Sequence, residues 1–402
     1  MNIENILKIG RKIIPKPIFL FFRPFYHYKL AALAAIWYWF PSRNITVIGV
    51  TGTNGKSTVV EMLHNIFEEA GFAVASISSV RFRIKNQEWK NDLKMTMPGR
   101  FSLQKFIRDS KRNGCKFVIL EITSEGIRQF RHKNISFNVA VLTNVTPEHI
   151  ESHGSFEEYR QAKLKLFKIS PWHVLNGDDK NLDYFADVPA EKRSIYYLKD
   201  FPGNLHLKIL GDFNKSNALA AIECARLFDV EDKIIFAALE MIEEIPGRLE
   251  FISEEPFSVV VDYAHTPDAL IKVYQTLKNQ GGRMICVLGA CGGGRDKWKR
   301  PEFGKIAEKF CDEIILTNED PYDENPQSIL EDIESGFSEI KKSIKIIDRK
   351  EAIKKAISDA KQGDTVIITG KGCESWIMIE DGKKIPWDDR EIARQALKEL
   401  PS

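Results

Sequence analysis

The run Ile45-Thr-Val-Ile-Gly-Val-Thr-Gly-Thr-Asn-Gly-Lys-Ser-Thr58 passes from β-branched residues into a glycine-punctuated turn and then into Lys56 and Ser57. A strand, a tight loop and a helix start, in that order, make a phosphate cradle. Backbone N–H groups and the positive end of the helix face the anion, Lys56 adds a charge, and Ser57 can hold Mg2+. The spacing is not that of the usual P-loop, because Val50 stands five residues before Gly55. Three further residues suit a nucleotide-triphosphate site. Glu121 ends the apolar run Phe117-Val-Ile-Leu-Glu, where sheet ligands collect. His149 closes Thr143-Asn-Val-Thr-Pro-Glu-His, and Lys163 lies in Tyr159-Arg-Gln-Ala-Lys-Leu-Lys-Leu-Phe. Oxygen ligands suit Mg2+, and an imidazole can serve beside them. Each residue also has a plain structural reading: a helix partner, a core histidine, a solvated lysine.

The elements that must position these groups alternate. Short buried strands are predicted at Ile45–Val50, Phe117–Ile122, Val139–Thr143 and His173–Asn176, with helices near Ser57–Ala70, Arg100–Asn113, Phe156–Ile169 and Lys215–Phe228. Pro246-Gly247 reads as a hinge. Beyond it strands are expected at Ser258–Val261, Met284–Leu288, Glu313–Leu316, Lys345–Ile347 and Thr365–Thr369, with helices at Pro267–Asn279, Pro301–Phe310, Ser328–Phe337 and Lys350–Ala360. The expected fold is α/β: a P-loop-type central domain with a mainly parallel sheet, then a Rossmann-like α/β domain. The expected divisions are 1–44, 45–247 and 248–402.

A length of 402 residues allows two or three domains, and 43% hydrophobic with 28% charged residues is a soluble, globular composition. A net charge of +2 gives no reason to expect nucleic acid, yet residues 1–43 alone carry +6. Six cysteines without a framework spacing point to a reduced, cytoplasmic setting. No cleavable signal peptide is apparent. The uninterrupted apolar part of the N-terminal segment, Leu30–Phe40, has eleven residues against the ~20 needed to span a bilayer. Residues 1–40 are therefore expected either to pack on the protein or a partner, or to lie on the inner surface of an anionic membrane with Trp37, Tyr38 and Trp39 at headgroup level.

Taken together, these stretches resemble the Mur ligases, ATP-dependent amide-forming enzymes of peptidoglycan synthesis, and within them the enzymes that add the third amino acid. The resemblance covers residues 45–395. It implies that Gly52, Thr53, Asn54, Gly55, Lys56, Ser57 and Thr58 form the phosphate loop, with Lys56 on the phosphates of ATP. It makes Ser57, Glu121, His149 and a carbamylated Lys163 the Mg2+ ligands. Asn144, Asn214, Asn217 and Asp262 fall on the nucleotide, and Arg248, in Pro246-Gly-Arg-Leu-Glu, on the γ-phosphate. The acceptor, a muramoyl-peptide-like precursor, would meet Thr96, Met97, Pro98, Ser124 and Arg131. The free amino acid would meet His265, Arg300, Glu319, Asp320 and Glu374. A monomer is expected, and the implied chemistry is conversion of a carboxylate to an acyl phosphate that an amine opens.

Departures narrow the expectation. The N-terminal piece is far shorter than the family's UDP-binding domain, so a lipid-linked acceptor is an alternative. Tyr322 stands where diaminopimelate-adding enzymes carry arginine, which favours lysine or another diamino acid. Cys373 replaces a histidine, Glu125 another, and Glu148 an aspartate. Other readings are the same chemistry on a polyglutamate- or cyanophycin-type acceptor, a phosphotransferase or GTPase, and a non-catalytic binding module. The guanine-reading Asn-Lys-x-Asp is missing from the sequence, and a binding module would not need Lys56, Glu121, His149, Lys163 and Arg248 together.

Overall fold

The computed structural model describes residues 16–400 apart from 94, 279 and 339–342, and of 16–23 the backbone alone. Of the expected basic residues, Lys8, Arg11 and Lys12 lie outside the described residues, and the side chains of Lys16 and Arg23 lie outside the described part as well.

Alternate residues of each central strand feed two separate cores. Ile48 and Val50 of β1 (Thr46–Thr51) enter one apolar cluster with Phe117, Ile119, Val139 and Val141. Val47 enters the other with Val118, Leu120, Ala140 and Leu142. A period of two with both sets apolar is what a sheet covered on both faces requires. Burying one such side chain contributes about 1.5–3 kcal/mol. The remaining strands are β2 (Val74–Ile77), β3 (Arg81–Ile84), β4 (Gln87–Lys90), β5 (Phe117–Glu121), β6 (Val139–Leu142), β7 (Trp172–Asn176) and β8 (Lys192–Tyr196). They form an eight-stranded sheet in the order β4-β3-β2-β5-β1-β6-β7-β8, parallel from β2 to β8, with β3 and β4 added antiparallel.

The second sheet has the order β13-β12-β11-β14-β10-β9. Its strands are β9 (Glu250–Ser253), β10 (Ser258–Asp262), β11 (Met284–Leu288), β12 (Glu313–Leu316), β13 (Ser343–Lys345) and β14 (Thr365–Thr369), with only β9 antiparallel. A small antiparallel pair follows, β15 (Trp376–Met378) with β16 (Lys384–Pro386).

The mainly parallel α/β architecture is as the sequence predicts, and most expected elements fall within three residues of their places. The hairpin β3–β4 and the strand β8 had no continuous apolar run to reveal them, while β2, in Phe72-Ala-Val-Ala-Ser-Ile77, and β9, around Phe251-Ile252, are apolar but short. β4 is exposed along its whole length and β8 along most of it. The third helix of the second half starts at Pro326, capped by the Asn325 side chain accepting from Gln327 N. One cysteine pair departs from the expected free thiols: Cys286 on β11 and Cys311, just after the Lys299–Phe310 helix, form a disulfide.

The N-terminal helix Lys16–Trp37 packs on the Arg100–Arg112 helix. No helix among the described residues is long and apolar enough to cross a membrane.

Candidate active site

Both sheets point the carboxyl ends of their parallel strands into one cleft of about 1430 Å3. Thr51 of β1 leads into Gly52–Gly55, Glu121 ends β5, Leu142 of β6 leads into Thr143-Asn144, and Asp262 ends β10. Every residue expected at the site lines this cleft except Pro98 and Arg300. Pro98 is buried beneath the wall. Arg300 is fully buried, its guanidinium held by Glu324 at 2.7 Å, Asp332 at 2.8 Å and the Cys291 carbonyl at 3.2 Å. That arginine is a structural anchor, and the cations that face the cleft from its segment are Arg295 and Lys299.

The phosphate loop is held from the β6 side. Thr53 N donates to the Asn144 carbonyl at 2.7 Å, Asn54 N to Asn144 Oδ1 at 2.9 Å, and Thr143 Oγ1 to the Asn54 carbonyl at 2.6 Å. The Lys56–Glu69 helix starts at Gly55 with no side chain capping it and no acid in its first turn. Its first N–H groups have no partner within the helix, so an anion at this end is favoured by hydrogen bonds and dipole alike. Gly55 sits at φ +83°, and a Cβ there would lie 2.2 Å from Asn217 Oδ1. Gly55→Ala is expected to weaken nucleotide binding at least tenfold and to cost about 1–2 kcal/mol of stability; titration calorimetry and thermal melts measure the two effects.

Lys56 Nζ donates to the Thr53 carbonyl at 2.8 Å and lies 4.0 Å from Glu121. Burial lowers its pKa, opposed by Glu121 and reinforced by Arg248. Ser57 Oγ donates to Glu121 Oε2 at 2.8 Å, and the same oxygen accepts from Ser79 N at 2.8 Å. From the turn before β9, Arg248 lies over the Tyr263 ring and donates to Ser57 Oγ at 3.3 Å. Ser79 carried no signal in the sequence, since it follows β2, a strand the pattern did not reveal.

The four expected magnesium ligands are not gathered as one set. Ser57 and Glu121 touch, whereas Lys163 Nζ donates to the Gly52 carbonyl at 2.7 Å. Among the described residues no three of His, Cys, Asp and Glu are placed to hold a metal between them. One hydroxyl beside one carboxylate at an uncapped helix start still fits Mg2+, which keeps few protein ligands and completes its shell with phosphate oxygens and water. Lys163 is fully buried, and burial together with the Lys56 charge holds its pKa well below the ordinary lysine value. Burial likewise pushes His149 down to about 2, helped by Arg295 and Lys299, so its imidazole is neutral at physiological pH. His149 adopts φ +56° at the start of the short Ile150–His153 helix.

At one end of the cleft Asn214 Nδ2 donates to the Leu210 carbonyl at 2.8 Å and Asn217 Nδ2 to Asn214 Oδ1 at 3.2 Å. Asp262 is committed to backbone, accepting from Leu249 N and Ala264 N, both at 2.6 Å. At the opposite end Arg131 donates to the Met97 carbonyl and to Gln129 Oε1, and Ser124 meets His153.

The remaining wall comes from the loops after β12 and β14. Lys371 is fully buried between Asp320, at 2.9 Å, and Glu374, which also accepts from Tyr263 Oη at 3.1 Å. Cys373 is buried in an apolar cluster, and burial raises its thiol pKa, as suits a space-filling role. Burial pushes Glu319 up to about 7, with Lys371 pulling it down and Asp320 pushing it up. Its folded pKa is therefore above that of a free carboxyl, ~4.3. The protonated form stabilises the fold fully below that value, and this contribution is lost as pH rises through about 7. Calorimetry of Glu319→Gln, which stays neutral, should show melting temperature rising relative to the parent between acidic and mildly alkaline pH.

Two family models match the chain: the Mur ligase middle domain over residues 50–200 and the Mur ligase glutamate ligase domain over 247–372. A UDP-N-acetylmuramoyl-L-alanyl-D-glutamate–2,6-diaminopimelate ligase of Syntrophomonas wolfei is 36% identical over 92% of this chain and 81% of its own length. A UDP-N-acetylmuramyl-tripeptide synthetase of Roseiflexus is 35% identical over 92% of this chain and 82% of its own. Among solved structures, a diaminopimelate ligase of the same name superposes with a TM-score of 0.60 at 27% identity, over 94% of this chain and 82% of that one. The fold is also that of E. coli FolC, with a TM-score of 0.68 at 22% identity, over 85% of this chain and 89% of that one.

Proposed function

The chain belongs to the Mur ligase family of ATP-dependent acid–amino-acid ligases, and from that premise we propose that it joins an amino acid to a muramoyl-peptide carboxylate through an acyl phosphate. The observation that carries the reading is Arg248 reaching from the turn before β9 to Ser57 of the phosphate loop, 3.3 Å away. Cations from both halves thus converge where a γ-phosphoryl group would sit.

A carboxylate is a poor acyl donor because its leaving group would be oxide. Moving the γ-phosphoryl group of ATP onto it supplies a good leaving group, and the incoming amine then expels phosphate. Phosphoryl transfer depends mainly on alignment and charge neutralisation. Lys56 and the N–H groups of the helix start hold the β- and γ-phosphates, and Arg248 meets the charge that develops on transfer. Ser57 and Glu121 would hold Mg2+, which supplies further neutralisation of the phosphate oxygens. Lys163, its pKa lowered by burial, would take up CO2 as a carbamate with release of a proton and so add an anion beside the cation site. Asn214 and Asn217 face the adenine, and Arg131 with Thr96 and Ser124 faces the acceptor. The two functional bodies divide near Gly247, and their closure keeps water from the acyl phosphate.

The amine donor enters between Glu319, Asp320, Glu374 and His265. Several relatives carry diaminopimelate in their names, but Tyr322 cannot make the bidentate pair that arginine makes with a second carboxylate. A diamino acid with a single carboxylate, lysine foremost, is the proposed donor. Phosphate release from ATP, screened over amino acids with UDP-linked and lipid-linked muramoyl dipeptides, tests this. Lysine should exceed diaminopimelate at least tenfold in kcat/KM, and the reverse order would refute the assignment.

A further inference from the structure

A helix on the surface of a soluble body normally turns its polar face to water. The N-terminal helix does the reverse. Its inward face is Ala31, Ala34 and Ala35, all buried, and small residues let it sit close on the Arg100–Arg112 helix. Its outward face carries Phe25, Leu33, Ile36 and Trp37, exposed by 57, 55, 58 and 72%. At 100° per residue these four and Lys29 fall within one third of the helix circumference. The following turn adds Trp39, 90% exposed.

The cations around this face identify its occupant. Lys29 lies within this face, over the Phe25 ring at 4.3 Å, and Arg43 lies over the Phe40 ring at 4.3 Å in the turn that follows the helix. The first 43 residues carry a net +6 in a chain whose total is only +2. A protein partner or second copy has no need of so one-sided a charge, whereas an anionic lipid surface meets both the indoles and the cations. The helix also borders the acceptor end of the cleft. Tyr28 packs edge-on to Phe130, the neighbour of Arg131, and Tyr38 packs on Phe101, four residues past the cleft-lining Met97.

We propose that this outward face docks on an anionic bilayer and so presents the acceptor end of the cleft to membrane-anchored substrate. Docking stands on the surface alone, and only the statement about substrate rests on the proposed ligase activity.

Sedimentation of the full chain with vesicles of phosphatidylglycerol and phosphatidylcholine in equal parts tests docking. Binding is expected, weakening with salt and absent from vesicles of phosphatidylcholine alone. Ile36→Glu and Trp37→Glu, each at an exposed position, should each lower partitioning at least tenfold without changing phosphate release with a soluble acceptor. No vesicle binding by the parent chain, or binding indifferent to both substitutions, would overturn the proposal. So would a dimer, seen by light scattering, that the substitutions dissolve while vesicle binding is lacking. Should the vesicles bind but no amino acid release phosphate, the ligase assignment fails and docking survives. With acceptor anchored in the vesicles, Trp37→Glu should raise KM and leave kcat unchanged.

Discussion

Lys56→Ala should lower ATP-dependent product formation by ~10²–10³ or more, the range seen when one preorganised charge contact is removed from a reacting centre. The side chain is the cation of the phosphate loop, 16% exposed and already turned inward to the Thr53 carbonyl. Its loss removes the cation that stands 4.0 Å from Glu121. The drop should appear in kcat as well as KM, because charge moves onto the bridging oxygen only as the phosphoryl group leaves. Lys56→Arg should restore little, since the planar guanidinium cannot take the compact place of the ammonium. ADP formation followed by a coupled assay measures both variants, and a fall under threefold would remove Lys56 from the chemistry.

Lys163→Ala is the second large effect, again expected at ~10²–10³. This lysine has no carboxylate partner within salt-bridge distance in the structure described; its ammonium rests on the Gly52 carbonyl. Burial and the neighbouring Lys56 charge lower its pKa well below that of an ordinary lysine, and the neutral amine is the form that reacts with CO2. Activity of the parent protein should therefore fall in CO2-depleted buffer and return with bicarbonate, while Lys163→Ala responds to neither. Equal activity of the parent with and without bicarbonate would leave the residue a structural support of the loop and nothing more.

Much of this was legible in the sequence because the strands that position the site are buried on both faces. Runs such as Val47–Val50 and Phe117–Leu120 are apolar without interruption, and the chemical residues stand at their ends. The β3–β4 hairpin was not legible, for Arg81, Arg83, Glu88 and Lys90 give it no continuous apolar run. Ser79, which positions Glu121, was lost along with it. Arg300 misled for a different reason: a cation beside a family motif looks the same in sequence whether it faces a cleft or is buried among Glu324, Asp332 and Cys291. Only packing distinguishes the two. The cysteines misled similarly, because a separation of 25 residues between Cys286 and Cys311 becomes proximity only once the Lys299–Phe310 helix has folded back between them.

Asn54 belongs to the phosphate loop, yet its side-chain amide donates across the cleft to Asp268 at 3.1 Å and Thr266 at 3.2 Å. Whatever fixes the loop therefore biases the orientation of the distant helix that begins at Pro267, and the converse holds with equal free energy. A ligand held by the loop and one held by the second half would thus be thermodynamically linked, the Asn54 carboxamide carrying the coupling together with Arg248 on Ser57 and Lys299 on Glu148, so that one ligand prepares the protein for the other.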